Sequence, residues 1–218
     1  DEIFSRYKPN SPVSRLARGE AELRELPEIV EYIWDECERW EKITDGWFRS
    51  IDEANTFDPS GLVKAWATEN AALKLEEHGI TDFAINAGGD IRMSKSISGG
   101  IPRRVGISKP ITITDGEAGA ITVLDLNDTE YFAIATSGSA ERGEHIWVPQ
   151  RRTNGILQVT VVAKDIITAD VFATAAYAAG DQAGALLRKH EDELQAMVID
   201  LDGNVFSTKG FAALVSPV

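Results

Sequence analysis

Asp170 and Thr174 lie four residues apart in "TADVFAT", a spacing that on a helix sets a carboxylate and a hydroxyl on one face about 5–6 Å apart. Both offer oxygen. A hard divalent cation such as Mg2+ takes oxygen ligands, commonly one or two carboxylates completed by phosphate oxygens and water. The plainer alternative makes Asp170 a helix cap and Thr174 an ordinary helical residue. In "DPSGLVKAW", Asp58, Gly61 and Lys64 recur at intervals of three where a loop enters a helix. The first amides of a helix can receive an anion, and a lysine one turn in can neutralise a phosphate. A capped surface helix with a solvated lysine is the competing reading.

A third group is "IATSGSAERGEHIWVP", a strand that runs into Thr136, Ser137 and Gly138 and reaches His145 soon after. Small hydroxyl residues with glycine after a strand can form a backbone nest for an anion, and a histidine is the natural proton acceptor near neutral pH. Ser137 lacks the G-x-S-x-G elbow of a hydrolase nucleophile. Tyr7, between small polar residues and Pro9, could stack on a planar ligand or pack on the core. Finally, "NAGGDIRMS" puts Gly88 and Gly89 directly before Asp90, which suits a tight turn or a close backbone approach to something else. It continues toward another strand, so it is not a G-x-G-x-x-G dinucleotide fingerprint.

The elements that must hold these groups are readable from periodicity. Apolar residues at Ile29, Ile33, Trp34, Cys37 and Trp40 predict an amphipathic helix ending near Gly46, and a second runs from Leu62 to Leu75 with Ser60 as N-cap and Gly79 as stop. "DFAIN", "RRVGISKP", "AGAITVLDL", "YFAIATSG" and "ILQVTVVAK" read as strands. The Ala-rich "ITADVFATAAYAAGDQAGALLRKH" reads as helix interrupted at Gly180, and "AMVIDLDGNVFST" as a hairpin turning at Asp-Gly. Strands clustered between helices without strict alternation predict an α+β fold with a largely antiparallel sheet.

Composition narrows the function classes. A chain of 218 residues can bury roughly 70% of its unfolded surface. Hydrophobic residues at 43% and charged residues at 26% are ordinary for a globular chain. The net charge of -13 repels a nucleic-acid backbone, so any phosphate bound here must be compensated locally. The single cysteine, Cys37, can form neither an internal disulfide nor a cysteine zinc site. No apolar run is long enough to span a bilayer. The sequence begins at Asp1 without an initiator methionine, which reads as a processed or trimmed chain and leaves cytoplasm and the outer face of a membrane both open as compartments.

Taken in order, "FSRYKPNSPVSRL", "DPSGLVKAW", "NAGGDI", "VGISKP", "ATSG", "HIWVP" and "VTVVAKDIITADVFATA" resemble the ApbE family of FAD:protein FMN transferases, over about residues 4 to 182. The resemblance implies one domain, an α+β fold of two lobes around a flavin cleft. It further implies Mg2+-dependent transfer of FMN from FAD to a threonine or serine hydroxyl of an acceptor flavoprotein, with release of AMP. By the same resemblance Asp170, Thr174 and the backbone carbonyl of Gly61 hold the metal, and His145 is the general base. Tyr7, Trp47, Phe48, Asp58, Lys64, Gly88, Gly89, Asp90, Ser137, Gly138 and Ile146 line the FAD site.

The sequence departs from the family pattern in several places. Val148 precedes Pro149 where aspartate is usual, Ala65 follows the motif lysine in place of glycine, Glu69 replaces an aspartate, and Arg49 follows the aromatic pair. The stretch from Phe48 to Asp58 is short, and the family's early strand is missing. Two other activities use the same residues: hydrolysis of FAD to FMN and AMP, and flavin binding without turnover.

Overall fold

The computed structural model describes residues 2–52, 55–95, 102–110, 119–138 and 155–216. His145, Ile146 and Val148 lie outside the described residues. Among the described residues five α-helices, α1 (Pro12–Ala17), α2 (Glu28–Ile43), α3 (Ser60–Glu77), α4 (Ile166–Ala179) and α5 (Ala183–Lys189), accompany eight strands. Strands β1 (Ala84–Ala87), β2 (Asp90–Met93), β5 (Ala133–Gly138), β6 (Ile156–Ala163), β7 (Leu194–Asp200) and β8 (Val205–Ser207) form one sheet in the order β1-β2-β5-β6-β7-β8, antiparallel at every pairing. Strands β3 (Arg104–Ser108) and β4 (Ala120–Asp125) pair separately. The α+β class with a largely antiparallel sheet is as expected.

Each face of the larger sheet carries its own core. Helices α3, α4 and α5 pack on one face, with α2 lying against α3, and there Val159, Val161, Ala133 and Ala135 meet Phe172, Leu62 and Trp40. The β3–β4 pair covers the other, where Leu157, Val162 and Ile134 meet Ile107 and Leu124. Strand β6 is buried at every position, which fits a continuous run of β-branched and apolar residues covered on both sides. Helix α4 is buried almost all round, and its alanines let it lie close to the sheet. A polar residue on such a helix is therefore aimed at something specific.

The helix ends follow from their residues. Gly79, at φ +76°, closes α3 with Ile80 N–H donating to Leu75 O at 3.0 Å and Gly79 N–H to Glu76 O at 3.0 Å, a paired C-terminal cap. Helix α2 ends similarly, Gly46 N–H reaching Glu41 O at 2.7 Å. The N-cap of α3 differs from expectation. Pro59 takes that position without a side-chain cap, and Asp58 one residue earlier accepts from Ser60 N–H at 3.0 Å, an aspartate bonding the amide two residues on. The Ala-rich stretch breaks at Gly180, φ +55°, into α4 and α5. Helix α1, capped by Ser11 with Pro12 in its first turn, was not legible in the pattern because it spans only six residues. Cys37 is a core residue, 1% exposed, and burial pushes its thiol up to about 12, opposed by a hydrogen bond with Ser50.

Candidate functional site

Helix α4 places Asp170 and Thr174 one turn apart on the side facing β5 and α3. Its N-cap is Asp165, which accepts from Thr168 N–H at 2.8 Å. Asp170 is therefore not the cap; it stands inside the helix and is 4% exposed. Thr174 is partly exposed, and its Oγ1 lies 3.4 Å from Ser137 Oγ on β5. A carboxylate and two hydroxyls thus share one side of the sheet.

Helix α3 brings the cation. Lys64 Nζ is 3.4 Å from Asp170 Oδ2 and also ion-pairs with Asp90 Oδ2. Asp90, 2% exposed, is held by its second oxygen, which accepts from Thr136 N–H at 3.1 Å. Lys64, Asp90 and Asp170 sum to one negative charge in a nearly buried setting, where charge is costly unless compensated.

The glycine pair that precedes Asp90 is explained by conformation. Gly88 and Gly89 have φ of +66° and +98°, and Ala87 pairs with Asp90 across them, so they form a two-residue hairpin turn that needs positive φ twice. The turn delivers Asp90 to the first position of β2. Both glycines are exposed. Gly138 has a different reason: a Cβ there would sit 2.7 Å from Leu157 O. Its smallness is required by β6, whatever it lines.

Gly61 lies in the first turn of α3, and a Cβ on it would meet the Phe48 ring at 3.2 Å. Phe48 is 2% exposed and packs beneath the start of α3; of the aromatic pair it is Trp47 that keeps accessible surface. Tyr7 is 98% exposed. Its neighbour Arg6 ion-pairs with Asp58, which ties the tyrosine segment to the start of α3. Asp58 is thus engaged with Ser60 N–H and Arg6.

Some residues that shape the site carry no motif. Arg92, 0% exposed, points to the same face as Asp90 because they are two apart on β2. It donates to Glu69 at 2.9 and 3.1 Å and to Glu76 at 3.2 Å. Glu69 also accepts from Ile166 N–H at 3.2 Å, the first residue of α4. This buried network clamps β2, α3 and α4, the three elements that carry Asp90, Lys64 and Asp170. Glu69 is therefore committed to the frame. Ala65 is 1% exposed in the helix-side core, and Arg49 ion-pairs with Glu41 at 3.4 Å.

The donor set fits a hard cation better than a soft one: Asp170 Oδ2, Thr174 Oγ1 and Ser137 Oγ are all oxygen. Among the described residues no three His, Cys, Asp or Glu side chains gather as a metal cluster, so protein ligation here would lean on hydroxyl and backbone oxygen. No helix among the described residues is long and apolar enough to cross a membrane.

The sequence profile described as the ApbE family matches residues 49–198. A FAD:protein FMN transferase of Vibrio cholerae is 28% identical over 156 residues, 66% of this chain and 45% of that protein. One of Escherichia coli K12 is 29% identical over 163 residues, 69% of this chain and 44% of that protein. The chain thus spans less than half the length of these curated relatives. Among solved structures, the ApbE protein of Thermotoga maritima superposes with a TM-score of 0.80 at 20% identity, covering 99% of this chain and 87% of that one. The flavin transferase ApbE of Vibrio cholerae gives 0.76 at 21% identity, covering 98% and 85%. At such identities the superpositions establish the fold.

Proposed function

The chain belongs to the ApbE family, and from that premise we propose that it is a flavin transferase, moving FMN from FAD to a threonine or serine hydroxyl of an acceptor flavoprotein and releasing AMP. The observation that carries this reading is the convergence of Asp170, Thr174, Ser137, Lys64 and Asp90, from α4, β5, α3 and β2, on one side of the sheet. The names of the relatives, FAD:protein FMN transferase, support the same reaction.

In this reading Asp170, Thr174 and the Gly61 carbonyl hold Mg2+. When bound, that ion neutralises diphosphate oxygens and the charge that develops on departing AMP. Lys64 adds a positive charge beside the same diphosphate, which a chain of net charge -13 would otherwise repel. The acceptor hydroxyl oxygen forms a bond to the FMN phosphorus while the phosphorus–oxygen bond to AMP breaks. His145 takes the hydroxyl proton. Tyr7 and Trp47 offer accessible aromatic surface for the flavin. The buried Arg92–Glu69 frame keeps the groups in place, and positioning of this kind supplies much of a phosphoryl-type transfer.

The test is mass spectrometry of a candidate acceptor incubated with this protein, FAD and Mg2+. An added FMN on threonine or serine, absent with chelator and with Asp170→Ala, is the expected result. AMP release that needs no acceptor would make the chain an FAD hydrolase instead. Adduct formation that persists in Asp170→Ala would refute the metal assignment.

A further inference from the structure

Lys64 stands against an oxygen that the proposed reaction needs for another partner. Its ammonium is 3.4 Å from Asp170 Oδ2 and ion-pairs with Asp90 Oδ2. The two carboxylates are anchored differently from the lysine. Asp170 belongs to a buried helix and Asp90 is fixed by Thr136 N–H and the Gly88–Gly89 turn. Their side chains are 6% and 3% exposed, whereas that of Lys64 is 30% exposed and ends a flexible four-carbon stem. Two fixed anions therefore face one movable cation.

We propose that Lys64 is an exchangeable internal counter-cation: its ammonium shields the Asp170 carboxylate while no divalent ion is bound and moves wholly onto Asp90 when one binds. This inference rests on the cation site proposed above. An ammonium and a divalent ion cannot share Asp170 Oδ2 without strong repulsion at such short range in a poorly solvated site. Asp90 supplies the second berth, which makes it a positioning residue acting through Lys64. The exchange also leaves the ammonium beside the ion, facing the place where the diphosphate is required. In the absence of metal the same contact keeps a buried carboxylate from standing uncompensated.

The experiment is calorimetric titration of Mg2+ alone into the intact protein, without FAD, at one fixed pH. Lys64→Met is expected to tighten Mg2+ binding about tenfold, equivalent to about 1.4 kcal/mol, because a competing charge is gone. Asp90→Asn is expected to weaken binding about tenfold, because the lysine then loses its second carboxylate and presses harder on Asp170. In the Lys64→Met background the Asp90→Asn effect should vanish, since no lysine remains to be held. Lys64→Gln, closer in shape and polarity, repeats the test should the methionine variant fold poorly. Unchanged affinity in both lysine variants overturns the exchange, as does an Asp90→Asn effect that persists undiminished without the lysine, which would mean that Asp90 acts by its own field. Wild-type binding that is lost in Asp170→Ala yet indifferent to the lysine variants leaves the cation site standing and removes only the exchange. Mg2+ binding by neither the wild type nor the lysine variants removes both.

Discussion

Arg92→Met tests whether the buried charge network is the frame on which the site is built. Arg92 is 0% exposed and Glu69 8% exposed. The guanidinium meets Glu69 through bonds of 2.9 and 3.1 Å and Glu76 at 3.2 Å. Methionine has a similar reach but no charge, so the substitution leaves Glu69 buried against Ile166 N–H alone. Removing one partner of a buried ion pair costs about 3–5 kcal/mol. For a chain of this size each kcal/mol lowers Tm by about 2–4 °C, so a fall of about 6–20 °C is expected. Circular dichroism of thermal unfolding measures it. Arg92→Met with Glu69→Leu should recover most of the loss, because two apolar groups leave nothing unpaired. Glu69→Leu also removes the acceptor of Ile166 N–H, which sets the limit of that recovery. A fall of less than about 2 °C in Arg92→Met, or no recovery in the double variant, would refute the idea that this network is a buried clamp.

Gly138→Ala should destabilise the fold by about 1–3 kcal/mol, as overpacking does, because its Cβ would press on Leu157 O at 2.7 Å; denaturant unfolding checks it, and wild-type stability would show that β5 and β6 can part. Cys37 should resist iodoacetamide in the folded protein at pH 8 and react once denatured, since burial pushes its thiol up to about 12. The same shift has a sign for stability. The folded protein keeps a proton that the unfolded chain releases above the thiol's ordinary value of 9.0, so this contribution is intact below pH 9.0 and is lost as pH rises toward about 12. Cys37→Ala should flatten the alkaline limb of a stability–pH profile, and an unchanged limb would contradict the assignment.

The pairings that matter differ in how far they can be read along the chain. Asp170 and Thr174 are legible because i,i+4 spacing on a helix is a local rule, and the alternative that Asp170 caps α4 fell once Asp165 was seen in that role. Lys64 is legible as a helix residue near a loop, yet its partners Asp90 and Asp170 come from elements whose approach depends on sheet order, which no local spacing encodes. Gly88 and Gly89 announce a turn, but only the pairing of Ala87 with Asp90 shows that the turn's product is the carboxylate after it. Arg92 carries no local signal, because an arginine in a short strand reads as solvated. Its clue was the period of two that puts it on the same face as Asp90. Glu69 was read as a departure from a pattern, whereas its longer side chain spans from α3 to both Arg92 and Ile166 N–H.

The frame and the chemistry are both carried by α3. Lys64 looks toward Asp90 and Asp170, and Glu69, further along α3, looks toward Arg92 and the first amide of α4. A substitution in the frame is tolerated when the new side chain still satisfies the buried guanidinium, because the penalty lies in an unpaired charge and not in the identity of the acid. Glu69→Asp is therefore expected to weaken the clamp by shortening the reach from α3, lowering Tm while leaving the wild-type fold. A Tm equal to that of the wild type would mean that Arg92 finds its partner in Glu76 instead, and that the clamp joins only β2 and α3.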